Sequence, residues 1–122
     1  MELEVINKRF AVCKIKSIES INLNADYLFI AKTSEEVSLV CDEASIPNDC
    51  IERDKGWQAF RIKGVLDFSL VGILAKISTV LADNDISIFA ISTYNTDYIL
   101  IKEESFEKAI DILKMKNYKI LP

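Results

Sequence analysis

The chain has 122 residues, half of them apolar and 28% charged, with a formal net charge of −4. That balance suits one compact domain, or two small half-domains sharing a core, and argues against a nucleic-acid partner, which needs a basic face to displace counterions. No apolar run approaches the ~20 residues that cross a bilayer, and Met1-Glu-Leu-Glu has no basic leader, so a cytoplasmic protein without a membrane partner is expected.

The first strand is predicted at Phe10–Ile15, followed by a connection whose Asn22 and Asn24 favour turns. Tyr27–Ala31 and Val37–Cys41 are apolar runs separated by Lys32–Glu36, which predicts an antiparallel hairpin. Asp42–Gly56 carries Pro47, Asn48, Asp49 and Gly56 and reads as a loop between halves. A strand at Gln58–Lys63 opens the second half.

Leu70, Ile73, Leu74, Ile77, Val80 and Leu81 repeat at helical spacing, predicting a helix over Leu70–Ala82. Ser69 is its expected N-cap and Asp83-Asn84 its stop. Ile86–Tyr94 and Asp97–Lys102 are predicted strands joined at Asn95-Thr96. Ser105 is the expected cap of a second helix, Phe106–Met115, with Phe106, Ala109, Ile110 and Leu113 facing inward. Asn117–Leu121 completes a β-α-β-β-α-β unit, the ferredoxin-like split arrangement. The first half has three strands but no long helical period, and reads as a shortened copy of that unit.

Cys13, Cys41 and Cys50 are widely spaced and the chain has no His. Zinc sites favour closely spaced Cys and His, so neither a metal nor another cofactor is expected, and the thiols are expected to be buried or half-buried. Without His there is no Ser-His or Cys-His nucleophile pair, and no carboxylate pair stands apart from the other acidic residues. The chain is expected not to be an enzyme.

On this pattern the chain resembles an ACT domain, the amino-acid-sensing module of regulated metabolic enzymes. Gly72-Ile73-Leu74-Ala75-Lys76-Ile77 is similar to the G-L-L-A-x-I opening of the first ACT helix. Residues 86–98, ISIFAISTYNTDY, are similar to a stretch shared by small bacterial tandem-ACT proteins and the CASTOR-type arginine sensors. Leu66–Gly72 matches the loop of the small bacterial members, as do Arg9–Cys13, Ser38–Cys41 and Gly56-Trp57-Gln58-Ala59. The resemblance implies an α+β, ferredoxin-like ACT fold: an antiparallel sheet with helices on one face. It divides the chain into a shortened N-terminal ACT-like half, 1–56, and a C-terminal ACT domain, 57–122. One departure is that Val71 stands where many ACT loops have Pro in D-x-P-G.

The function implied is a non-catalytic sensor that binds an amino acid at an ACT–ACT interface, which needs a second copy of the chain and so a homodimer. A free amino acid presents a carboxylate, which suits the bare amides and positive dipole end of a helix N-terminus. The candidate ligand-binding residues are Asp67, Ser69, Leu70, Gly72 and Ile73 before and at the first helix, and Thr93, Tyr94, Thr96 and Asp97 at the hairpin corner. Each has a plainer use. Asp67 and Ser69 suit helix capping, Leu70 suits the core, and Gly72 suits close packing of helix on sheet. Asp97 suits a turn and Tyr94 an edge. In the resembling sensors the residue matching Asp97 meets a cationic side chain, so a basic amino acid is the favoured ligand. The alternative is a structural or dimerisation module with a vestigial pocket; an RNA-binding ferredoxin-like domain is disfavoured by the acidic balance.

Overall fold

The computed structural model describes residues 1–64 and 72–122. Its elements are β1 (Glu2–Ile15), β2 (Phe29–Lys32), β3 (Val37–Asp42), β4 (Cys50–Ile62), α1 (Ile73–Ala82), β5 (Phe89–Ser92), β6 (Asp97–Lys102), α2 (Glu103–Met115) and β7 (Lys119–Leu121). Short 3₁₀ turns lie at Ile18–Ser20 and Glu43–Ser45. The chain divides into two compact units, Met1–Asn7 with Gln58–Pro122, and Lys8–Trp57.

The larger unit is the β-α-β-β-α-β arrangement with an extra strand. β5 and β6 pair antiparallel, β6 lies beside β4, and β4 beside β1. β7 pairs in parallel with the start of β1, matching Glu2 to Lys119 and Glu4 to Leu121. The alternation of Leu3 and Val5 in the first residues supports this strand, which the predicted start at Phe10 missed. Arg61 Nε donates to Glu4 Oε1 at 2.8 Å, a half-exposed pair linking β4 to β1.

Alternate residues of the strands, Phe60 and Ile62, Ile99 and Ile101, share one apolar cluster with Ile77 and Leu81 of α1 and Phe106, Ala109 and Leu113 of α2. Both helices therefore cover one face of the antiparallel strands, the α+β, ferredoxin-like ACT fold. Ile110, expected inward, is only half-buried at the margin of that cluster.

Both helices differ from prediction at their starts and end where predicted, at Ala82 and Met115. α1 begins at Ile73, three residues after the expected start, with Gly72 rather than Ser69 at the N-cap position. It ends because Asp85 turns left-handed (φ 60°), so that Ile86 N–H reaches Leu81 O at 3.0 Å and Asp85 N–H reaches Ala82 O at 3.0 Å. Asn117 (φ 71°) closes α2 the same way, with Tyr118 N–H on Leu113 O at 3.1 Å. α2 starts at Glu103, placing Ser105 inside the helix and Glu103 and Glu104 in its first turn, where the dipole favours acids.

In the smaller unit β2 and β3 form the expected hairpin, and β3 pairs antiparallel with β1. Ala11, Cys13, Ile15, Ile21, Leu39 and Cys41 make its apolar cluster. The second part of the expected 42–56 loop is strand from Cys50 onward. Residues 52–55 alternate charges on an exposed stretch, a pattern lacking the apolar period that marks strands.

Candidate functional site

The candidate site is a hairpin corner held beside the end of β4. The β5–β6 pairing runs to Ser92 opposite Asp97, leaving Thr93–Thr96 as the turn. Thr93 N–H donates to Thr96 O at 2.8 Å, and Thr93 Oγ1 donates to the same carbonyl at 2.9 Å. Thr96 N–H returns to Thr93 Oγ1 at 3.3 Å. Threonine suits this place because its hydroxyl satisfies turn groups that the ladder leaves unpaired.

Thr96 is the buried polar residue among the described ones, 4% exposed. Its Oγ1 donates to Ile62 O at 2.7 Å. A buried hydroxyl needs such a partner, and this one fastens the corner to the last residue of β4, just before the chain enters 65–71. Thr96 therefore acts on the corner by position, with its hydroxyl proton already committed. Tyr94 projects at the tip, 80% exposed.

Asp97 is half-buried and accepts from Ser92 Oγ at 2.5 Å across the last pair of the ladder. It does not fold back onto its own backbone as the turn alternative expected. Ser92 was not among the predicted residues; its place opposite Asp97, one residue outside the Thr93–Thr96 turn, is the signal that finds it.

Gly72 and Ile73 open α1. Gly72 is left-handed (φ 80°, ψ 2°), and a Cβ added to it meets nothing within 4 Å. Its use is therefore conformational, and not the tight packing on the sheet that was the plainer expectation. Gly72 O accepts from Lys76 N–H at 2.9 Å, and the N-cap position supplies no side-chain bond to the first-turn amides. Ile73 is half-buried against the helix-covered core. Gly72 also borders a hollow of about 470 Å³ with Ala75, Lys76, Thr79, Val80, Lys116 and Tyr118. Asp67, Ser69 and Leu70 lie outside the described residues.

The structure thus brings Thr93, Thr96, Asp97 and the unpredicted Ser92 into one bonded corner, and sets Gly72 and Ile73 at the head of α1. An acidic acceptor at a half-buried corner can take a cation, and a helix start without a capping side chain can take an anion.

The chain matches the ACT domain family model over residues 52–115. It is 34% identical over 87 residues to the rat protein called cytosolic arginine sensor for mTORC1 subunit 1, and 33% identical to the human one. Those matches cover 66% of this chain and 26% of the sensors, so the chain spans about a quarter of their length. A crystal structure from Agrobacterium tumefaciens superposes with a TM-score of 0.85 and 30% identity, covering 98% of this chain and 91% of that one. Aspartate kinase from Clostridium acetobutylicum, an allosteric enzyme, shares the fold at a TM-score of 0.64 and 16% identity, over 88% of this chain and 32% of its own.

Proposed function

This chain belongs to the ACT domain family, and we propose that it is a non-catalytic regulatory protein that binds an amino acid at an interface between two copies of itself. The observation that carries the proposal is the bond from Thr96 to Ile62, which fastens the acidic corner to the last residue of β4. A ligand spanning the corner and the start of α1 meets an anionic end and a cationic end, as a free amino acid requires.

In this reading the amides at the start of α1, with Asp67, Ser69 and Leu70 before them, take the carboxylate. Asp97 takes the cationic group, Thr93 and Tyr94 border the ligand, and Thr96 holds the corner. Gly72 is left-handed at the N-cap and offers the first-turn amides no capping side chain. The arginine sensors supply the ligand class, a basic amino acid. The shortened first half, 1–56, is proposed as a reduced ACT-like copy in which 3₁₀ turns replace both helices. The protein works in the cytoplasm as a homodimer, and binding stabilises the assembly that completes the site, which is how binding energy becomes a signal.

The test is calorimetric titration with arginine, lysine and leucine, together with the solution mass with and without ligand. The proposal expects binding of a basic amino acid and a dimer in the bound state. The alternative, a dimerisation module with a vestigial pocket, draws support from the partnership of Asp97 with Ser92, and expects a dimer with no heat for any of the three.

A further inference from the structure

The connection between β1 and β2 borders a recess of about 230 Å³ that the proposed sensing role does not use. Lys8, Asn22, Asn24, Asp26, Tyr27 and Asp42 line it, all within the smaller unit.

Strand register builds its charged wall. Asp42 on β3 stands opposite Phe10 on β1, so Lys8, two residues along, lies diagonal to Asp42 on the same face. A long side chain spans that diagonal, and Lys8 Nζ comes to 3.6 Å from Asp42 Oδ2. Both residues are half-buried, and Asp42 Oδ1 accepts from Ala44 N–H at 3.0 Å, which fixes the carboxylate. Tyr27 is also half-buried, its ring 6.1 Å from that of Phe10 and nearly perpendicular to it. At the rim, Asn22 Oδ1 accepts from Asn24 N–H at 3.1 Å, which leaves the Asn22 side-chain nitrogen as a donor. Asn24 and Asp26 are exposed there and add an amide and a carboxylate.

The spacing of the ion pair selects the ligand. At 3.6 Å Lys8 and Asp42 attract one another, yet they stand beyond the roughly 3.2 Å limit of a good hydrogen bond. A hydroxyl serves both at once, its oxygen accepting from Lys8 Nζ and its proton going to Asp42 Oδ2. An ammonium group cannot accept from Lys8, and a carboxylate or phosphate cannot donate to Asp42. A zwitterion would have to part the pair to reach one charge with each end. Asp26 adds a second carboxylate against the one ammonium, which disfavours anions further. Asn22 and Asn24 both give and take hydrogen bonds, as a set of hydroxyls requires, and Tyr27 supplies apolar ring surface. The volume lies below the roughly 300 Å³ at which drug-sized pockets begin, which suits a single small ring.

We propose that this recess binds a neutral polyhydroxylated ring, a monosaccharide or cyclic polyol, with one hydroxyl held between Lys8 and Asp42. The site lies apart in sequence from the 93–97 corner and stands whether or not an amino acid binds there.

The test records amide NMR spectra of the full chain with glucose, ribose and myo-inositol, each raised through the millimolar range, and with arginine in a separate arm. At least one of the three polyols should shift the amides of Asn24, Ala25 and Ala44 saturably. Lys8→Met, which keeps the stem but cannot donate, should weaken that binding about tenfold or more. Asp42→Asn, which keeps an oxygen for Ala44 N–H, should weaken it as well. No saturable shift at these amides with any of the three, or undiminished affinity in either variant, would overturn the site. Arginine shifting the same three amides where the polyols do not would overturn the ligand class. Sensing is read separately, from arginine shifts at residues 93–97, so the two readings fail independently.

Discussion

The two hairpins of this chain are near copies that end in different chemistry. β2 and β3 have the same lengths as β5 and β6, and Phe29 stands opposite Val40 as Phe89 stands opposite Leu100, sixty residues later. Their turns are bonded alike: Thr33 N–H reaches Glu36 O at 2.9 Å and Glu36 N–H reaches Thr33 Oγ1 at 3.2 Å, as Thr93 and Thr96 do. Beyond the turn they part. Lys32 and Val37 close the first ladder where Ser92 and Asp97 close the second. The first hairpin is flanked by 3₁₀ turns and the second by α1 and α2. One turn design thus serves as plain connection in one unit, and in the other becomes a corner with an acidic acceptor tied to the end of β4.

The comparison can be broken most forcefully in the cores. Among the described residues the helix-covered cluster includes Leu113 at 0% exposure, while the smaller unit has Leu39 at 1% without a helix over it. Leu113→Ala should cost about 2–5 kcal/mol in urea unfolding, and more than Leu39→Ala, because α2 cannot easily collapse into the space left. The reverse order would mean that the helices contribute less to stability than their burial indicates.

Asp97→Ala should weaken arginine binding by about 1.5–3 kcal/mol, roughly tenfold or more, through loss of a charge-assisted contact. Val37→Ala, at the matching place in the other hairpin, should leave it unchanged. Equal losses for arginine and leucine at Asp97→Ala would remove the assigned role.

Gly72→Ala should destabilise by about 1–2 kcal/mol, since a Cβ is penalised at φ 80° even in open space. An unchanged or raised urea midpoint would show that the left-handed turn is not required. Smallest is Thr96→Val, about 1 kcal/mol from the lost bond to Ile62 O. Thr33→Val should cost less still, because its turn is exposed and water replaces the bond. Chemical unfolding of the two variants side by side decides the order.

The ferredoxin-like half was legible because its signals are periodic and agree with one another. Ile77 and Leu81 mark one face of α1, and Phe106, Ala109 and Leu113 one face of α2. What was missed depends on partners distant in the chain. The first residues form a strand because β7 and β4 flank them, and residues 52–55 are strand without an apolar period because β1 supplies the ladder. The helix starts were missed, while the ends at Ala82 and Met115 were found: Gly72 opens α1 with a left-handed turn, and α2 begins at Glu103 without a capping side chain. At the site, Thr93 and Asp97 were visible as turn residues. The anchoring of Thr96 to Ile62 links residues 34 apart, and nothing local announces it.

The most direct test of the sensing account is a thermal-shift screen of the chain against the twenty amino acids. At 100 times its dissociation constant a bound ligand adds roughly 2.7 kcal/mol of stability. The account predicts a raised melting temperature with arginine or lysine that Asp97→Ala sharply reduces; no response to any amino acid at millimolar concentration would contradict it.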